Sequence, residues 1–365
     1  MRYFIVSGEK SGDMHAANLV KSILSQDSDA EIVGWGGEAM EAAGAKILKN
    51  YRELAFMGFW EVIKNLPTIL GFLKEIKVQI TDFQPDVLVF VDYAGFNLKV
   101  AKWAKSQNLK TAFYIAPKAW AWQKNRVYTI KKYIDELLVI FPFEKAFFGN
   151  FGISTTYVGN PLLDQMSGFE ANPDFLKDQN LGKKPIIALL PGSRSQEVKN
   201  MLGLMQTLAE TKKEFDWVVA GVSSLPNELY AFENLKVVKD QTYDLLKNAT
   251  AAIVTSGTAT LETALMAVPQ VVVYKTSVFS YWIAKSVVNI PYISLVNLIG
   301  EKEIVKELIQ GDYNLEKVEF ELNKLLPGNN LREKQLTDYS VLKSTIGEKG
   351  ASDKAAAVIL KLAKK

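Results

Sequence analysis

Short β-branched and aliphatic runs alternate with stretches of helical periodicity along almost the whole chain, and no other feature limits the fold so tightly. In the first half, Tyr3–Ser7, Glu31–Gly34, Val87–Asp92, Thr111–Ile115, Leu137–Phe141 and Thr155–Val158 read as strands. Helical stretches such as 14–25, 97–107 and 123–133 lie between them. In the second half, Ile186–Leu190, Trp217–Ala220, Leu235–Val238, Ala251–Thr255 and Gln270–Tyr274 alternate with helices over 197–213, 242–248, 258–267 and 279–288. Short apolar strands separated by helices are the signature of parallel βαβ units. The pattern restarts after a polar, Pro- and Gly-containing stretch from about Ser167 to Pro185. The expected architecture is α/β, with two doubly wound Rossmann-like domains facing across a cleft. The first covers 1–170 and the second 171–340, and a last amphipathic helix within 341–365 packs on either one.

Composition narrows the chemistry. The 365 residues suit two domains at about 150 residues each. Forty-three Lys and Arg against 40 Asp and Glu leave a net charge of +3, too little to imply a nucleic-acid partner. With no cysteine, thiolate catalysis, disulfides and Cys-type metal sites are excluded. The one histidine, His15, rules out a multi-His metal site, and no metal or cofactor is expected. No apolar run is long enough to span a bilayer and the N-terminus lacks a signal peptide's pattern, so a cytoplasmic location is expected.

In doubly wound sheets ligands bind beyond the carboxyl ends of the strands, so residues just after strands carry the most weight. The first strand runs into Ser7-Gly8-Glu9-Lys10-Ser11-Gly12-Asp13. Gly8 and Gly12 let the backbone approach a ligand, and Ser11 stands at the helix start. Glu9 and Asp13 suit acceptor recognition or proton transfer, while Ser11 or Asp13 equally suits capping of the helix. Gly34-Trp35-Gly36-Gly37 is a poor dinucleotide fingerprint and reads better as a sharp turn. Asp92 ends an apolar strand in Val91-Asp92-Tyr93-Ala94-Gly95-Phe96-Asn97, where a carboxylate is placed either as a general base or as a partner of loop amides. Trp120 and Trp122 follow another strand and suit sugar stacking or core closure.

Two constellations in the second half point to a nucleoside diphosphate. Leu190-Pro191-Gly192-Ser193-Arg194 places Ser193 and a guanidinium between strand and helix. In Thr255-Ser256-Gly257-Thr258-Ala259-Thr260-Leu261-Glu262, Ser256, Gly257 and Thr258 expose helix N-terminal amides to a pyrophosphate. Glu262 lies one turn on, where it can accept from ribose hydroxyls. Neither segment is a Walker A loop. Residues 54–76 are unusually apolar: Met57, Phe59, Trp60, Ile63, Leu66, Ile69, Leu70, Phe72 and Leu73 exceed one buried helix stripe. A membrane or acyl-chain patch explains the excess, as does a hairpin buried in the core or a dimer interface.

Taken in order, Gly8-Glu9-x-Ser11-Gly12-Asp13, Gly36-Gly37-x-x-Met40, Glu53-Leu54-Ala55-x-Met57-Gly58, Asp92-x-x-x-Phe96-Asn97 and Pro117-x-x-Trp120-Ala121-Trp122 resemble the lipid-A-disaccharide synthase family. Phe141-Pro142-Phe143-Glu144, Val158-Gly159-Asn160-Pro161, Leu190–Arg194, Ser256-Gly257-Thr258-Ala259-x-Leu261-Glu262 and Ser294-Leu295-x-Asn297-Leu298 continue the resemblance to about residue 310. It implies a metal-independent, inverting glycosyltransferase of the GT-B fold, peripheral to the inner leaflet of the cytoplasmic membrane. The implied donor is UDP-2,3-diacylglucosamine and the implied acceptor 2,3-diacylglucosamine 1-phosphate (lipid X), giving lipid A disaccharide 1-phosphate and UDP. A homodimer is compatible. Asn297 is implied as a contact near the donor phosphates or sugar, and Asn97 as an acceptor-side residue. Some members carry a second aspartate three residues after the first, where this chain has Gly95, so the base role falls on Asp92, Glu9 or Asp13. Other readings are a GT-B enzyme acting on UDP-N-acetylglucosamine, such as a murein-type transferase or a 2-epimerase, and a non-catalytic two-lobed binding protein.

Overall fold

A computed structural model of the protein describes residues 1–54, 66–121, 123–232, 234–277, 281 and 290–365. The helix expected over 279–288 lies outside the described residues, apart from Tyr281. The chain forms two compact units, Met1–Ser167 with Ile346–Lys365, and Gly168–Thr345.

The first unit is built on seven parallel strands: β1 (Arg2–Ser7), β2 (Glu31–Gly36), β3 (Lys46–Asn50), β4 (Val87–Val91), β5 (Thr111–Tyr114), β6 (Glu136–Val139) and β7 (Thr156–Tyr157), in the order β3-β2-β1-β4-β5-β6-β7. The central strands are apolar on both faces because helices cover both; all five residues of β4 are buried. The edge strand β3 escapes the sequence pattern because it is short, carries two lysines and is only partly buried. The helix Leu66–Phe83 turns Phe72 and Leu73 onto the core, and Phe72 meets Trp35 edge-on. Ile69 is half-buried, whereas Leu70 is 56% exposed. Among the described residues of this segment, apolar side chains are divided between core and surface. Met57, Phe59, Trp60 and Ile63 lie outside the described residues, as does the side chain of Leu66.

The last helix, Ala351–Lys364, belongs to this unit. It packs along the helix Lys10–Gln26, where Ser22 Oγ donates to Asp353 Oδ1 at 2.6 Å. Asp164 accepts the amides of Gly350 and Ala351 on Oδ1 at 2.6 and 3.3 Å and that of Ser352 on Oδ2 at 3.0 Å, so a carboxylate caps the helix start.

The second unit holds six parallel strands: β8 (Ile186–Leu190), β9 (Asp216–Gly221), β10 (Lys236–Lys239), β11 (Ala251–Thr255), β12 (Gln270–Tyr274) and β13 (Lys306–Ile309), in the order β10-β9-β8-β11-β12-β13. In both sheets the strand order reverses beside the first strand of the unit. The reversal falls between β1 and β4, where Ser7 pairs with Val91, and between β8 and β11, where Leu190 pairs with Val254. Loops part at such a switch point and leave room for a ligand. Among the described residues no helix is long and apolar enough to cross a membrane.

Candidate active site

At the switch point of the first unit, the loop after β1 meets the loop after β4. A side chain at Gly8 would run into the ring of Tyr93, with Cδ1 at 2.2 Å from the added Cβ, so this glycine is required by close packing. Gly12 is buried, with Ser7 Oγ 2.6 Å from where a Cβ would stand, and Ser11 is exposed. Glu9 occupies the N-cap of Lys10–Gln26 in extended conformation and makes no side-chain cap.

Asp13 does something the sequence did not suggest. Its carboxylate is 3% exposed and reaches the next βα loop, accepting Gly37 N at 2.7 Å and Met40 N at 3.2 Å on Oδ1, and Ala39 N at 3.1 Å on Oδ2. It thus caps the neighbouring short helix Glu38–Ala42 rather than its own. A Cβ at Gly37 would stand 2.8 Å from Asp13 Oδ2 and 2.4 Å from the Tyr51 ring, which explains the glycine there. With its oxygens held by three amides and little access to solvent, Asp13 ties the loop after β1 to the loop after β2.

β4 stops at Val91, one residue before the expected end. Asp92 and Tyr93 both take left-handed backbone, at φ 49° and 47°, an unusual conformation for two successive residues with side chains. Asn97 holds it in place: Nδ2 donates to the Asp92 carbonyl at 2.8 Å and to that of Val6 at 3.4 Å. Asn97 is fully buried, and its Nδ2 supports the Asp92 backbone. The Asp92 side chain is half-buried, and among the described residues no hydrogen bond or ion pair holds its carboxylate. Burial pulls His15 below its ordinary value and Arg126 likewise, and the charge of Asp92 opposes both shifts, so a base and a guanidinium lie within its field. Burial, then the charge of Glu9, pushes the Tyr93 phenol up.

Trp120 is anchored from the next loop. Its Nε1–H donates to Glu144 Oε1 at 3.0 Å, while Glu144 Oε2 accepts the amides of Ile140 and Phe141 at 3.0 Å each. Phe143 meets the indole edge-on at 5.0 Å. Trp122 lies outside the described residues. Burial pushes the Glu144 carboxyl up to about 7, against the pull of its three donors and of Lys118.

In the second unit the loops after β8 and β11 lie side by side. Gly192 is left-handed at φ 106°, and a Cβ there would stand 2.4 Å from Glu197 Oε2. That oxygen accepts the amides of Ser193 and Arg194 at 3.1 and 3.3 Å. Glu197 Oε1 takes one Arg194 donor at 3.3 Å and leaves the side chain 66% exposed, with further donors facing water. After β11, Ser256 Oγ donates to the Ile293 carbonyl at 2.8 Å, a loop-to-loop tie that commits the hydroxyl. Gly257 and Thr258 are exposed at the start of the helix Thr258–Leu265, which has no side-chain cap. One turn on, Glu262 Oε1 accepts the Tyr243 hydroxyl at 2.7 Å.

Asn297 is fully buried and its side chain is saturated. Oδ1 accepts Ile304 N and Val305 N at 2.7 and 2.9 Å, and Nδ2 donates to the Val305 carbonyl at 2.8 Å and to Glu307 Oε1 at 2.9 Å. Asn297 thus shapes the 293–305 loop. Glu307 also accepts the amides of Ile293 and Ser294 at 2.9 Å each. Sequence reading missed Glu197, Tyr243 and Glu307 and gave Glu144 no role. Glu197 and Glu144 each stand three residues after a helix N-cap, but with Arg194 and Phe141 at the N-caps the sequence lacks the Ser, Thr, Asp or Asn that marks a capping box. Tyr243 and Glu307 carry no local signal, because their partners are 19 and 10 or more residues away.

Two parallel, doubly wound units, each presenting its loops at a switch point, define a protein of the GT-B class. Solved structures agree on the fold. The UDP-GlcNAc 2-epimerase of Neisseria meningitidis matches with a TM-score of 0.60 and 13% identity over 99% of both chains. The calicheamicin glycosyltransferase matches with a TM-score of 0.59 and 14% identity over 99% of this chain and 97% of that one. Sequence carries the assignment further. The family model described as lipid-A-disaccharide synthetase matches residues 3–361, and the lipid-A-disaccharide synthase of Myxococcus xanthus is 35% identical over 99% of this chain and 97% of its own length. The chain belongs to the lipid-A-disaccharide synthase family of glycosyltransferases.

Proposed function

We propose that this chain transfers the sugar of UDP-2,3-diacylglucosamine to the 6-hydroxyl of 2,3-diacylglucosamine 1-phosphate, giving a β(1→6)-linked lipid A disaccharide 1-phosphate and UDP. The observation that carries the proposal is the pairing of β8 with β11. Neighbouring strand ends there present an exposed guanidinium, Arg194, and an uncapped helix start at Gly257 and Thr258. A diphosphate suits both, since guanidinium and helix amides each favour an anion. The amide of Ser193, held in place by Glu197, belongs to the same loop. Glu262, with one oxygen on Tyr243, keeps acceptor capacity for ribose hydroxyls.

The acceptor binds the first unit in this reading, with Asp92 taking the proton from its 6-hydroxyl as the hydroxyl oxygen attacks the anomeric carbon. The bond from that carbon to the diphosphate oxygen breaks, and Arg194 and the amides stabilise the charge on UDP. Glu9 stands nearby as the second carboxylate, and Trp120 offers a stacking face for the sugar. The exposed side of Leu66–Phe83, with Leu70, lies against the inner leaflet of the membrane, and a homodimer remains part of the proposal. A soluble-sugar epimerase shares the fold, but full-length similarity to lipid-A-disaccharide synthases favours the transferase. The test is mass spectrometry of the product formed from both diacylglucosamine substrates. A tetraacyl disaccharide phosphate with equimolar UDP is expected; UDP-sugar consumed without a disaccharide overturns the reading.

A further inference from the structure

We infer that Tyr243 is a positioning residue for sugar recognition, fixing the Glu262 carboxylate so that it reads the ribose of a uridine nucleotide. The inference rests on the proposed nucleotide site and deepens it. Tyr243 stands in the first turn of the helix Thr242–Asn248, and its hydroxyl donates to Glu262 Oε1 at 2.7 Å. The element that carries it is firmly held. Leu245 and Leu246 are buried in the core, Asp244 Oδ1 accepts Asn172 N at 2.7 Å, and the Tyr243 ring meets Phe169 edge-on at 5.3 Å.

The last torsion of a glutamate is broad and nearly two-fold, so an unpartnered carboxylate rotates freely about it. One strong donor on Oε1 sets the carboxylate plane. It also leaves Oε2 and the second lone pair of Oε1 for a vicinal pair of hydroxyls. The direction of donation is settled by the surroundings: burial and then the charge of Glu262 push the Tyr243 phenol up, so it keeps its proton. Burial also pushes Glu262 up, and the Tyr243 hydrogen bond opposes this and favours the ionised, accepting form. Tyr243 thus acts twice on the same carboxylate, on its orientation and on its charge. A ribose with both hydroxyls gains from this arrangement, and a 2′-deoxyribose loses one of the two acceptor contacts.

The experiment compares binding of UDP and 2′-deoxy-UDP by calorimetry to the full chain, Tyr243→Phe and Glu262→Gln, at neutral pH and as pH is lowered. Phenylalanine keeps the ring against Phe169, and thermal unfolding checks each variant. In the unmodified chain UDP is preferred. Tyr243→Phe lowers that preference by about tenfold, the scale of one hydrogen bond to a charged group. It also makes UDP binding fail at higher pH than in the unmodified chain, because Glu262 protonates sooner; a purely structural role for the phenol predicts no such shift. If Glu262→Gln abolishes the preference while Tyr243→Phe leaves both the preference and the pH profile intact, the inference is overturned and the nucleotide site stands. If Glu262→Gln keeps the full preference, the ribose reading of Glu262 fails, and the inference with it. A carbon-13 titration of the Glu262 carboxyl in the nucleotide-free protein provides an independent measurement: removing the phenol raises its titration point, and an unchanged point overturns the inference.

Discussion

Trp120 and Glu144 are joined by an indole N–H donating to a carboxylate that is 1% exposed, 3.0 Å away. The other Glu144 oxygen is held by two strand-end amides, so a single carboxyl ties the loop after β5 to the end of β6.

The titration of Glu144 follows from this burial. Its carboxyl is pushed up to about 7 from an ordinary 4.5, so the folded chain binds the proton more tightly than the unfolded chain. The resulting stability is fully present below the ordinary value and is lost as pH rises through about 7. Glutamine cannot satisfy both sides: with its carbonyl toward the two amides, its NH2 group faces the indole N–H. Glu144→Gln is expected to release Trp120, shift tryptophan emission and destabilise the chain by about 1–3 kcal/mol. It should also remove this pH-dependent component from denaturant unfolding curves.

Asp92 holds a left-handed backbone that glycine adopts without strain, so the base role proposed for it and stability oppose each other at this position. Asp92→Gly is expected to gain up to about 1 kcal/mol in urea unfolding while losing turnover. Asp92→Asn should lower kcat by about 10²- to 10⁴-fold with UDP affinity unchanged. Near-normal turnover in the asparagine variant moves the base role to Glu9.

Arg194 should behave differently, since the proposed function puts it on the departing diphosphate. Arg194→Ala is expected to weaken UDP binding and turnover together, each by tenfold or more, at about 1.5–3 kcal/mol for a charge-assisted contact. Calorimetry with UDP alongside steady-state kinetics separates this pattern from that of Asp92.

Asp13→Ala tests a structural carboxylate in what reads as a catalytic motif. Loss of the cap on Glu38–Ala42 should cost about 1–2 kcal/mol in unfolding free energy. UDP affinity should not change, because the loops proposed to bind the nucleotide belong to the other unit.

Leu70 and Phe72 separate surface from core within one helix. Leu70→Ser should reduce association with anionic vesicles at little cost in stability. Phe72→Ser should cost about 2–4 kcal/mol, because the ring packs on Trp35. Unchanged vesicle flotation of Leu70→Ser removes this face from the proposed membrane contact.

Most central strands are written locally. Ile186–Leu190, Ala251–Thr255 and Gln270–Tyr274 run as expected to the residue, because an apolar run covered on both faces has no other place to go. The edges β3 and β13 are not so written, since half-exposed strands tolerate lysine and glutamate and lose the pattern. The same holds for the site. Arg194 and the Ser256–Thr258 turn stand out because glycine, small residues and a guanidinium after a strand carry a local meaning.

The amino-acid sequence on its own determined the class of fold, the family and the loops that carry polar chemistry, since periodicity and strand-end motifs are properties of neighbouring residues. Only the tertiary structure decided what those polar groups do. Asp13 and Asn297 look like site residues, yet they are occupied by amides 24 and seven residues away. Asp92 stays without a partner among the described residues, and Glu262 gains Tyr243. The physical reason is that a buried polar group must find hydrogen-bond partners, and which partners reach it depends on how strands stack across the sheet rather than on residues beside it in the chain.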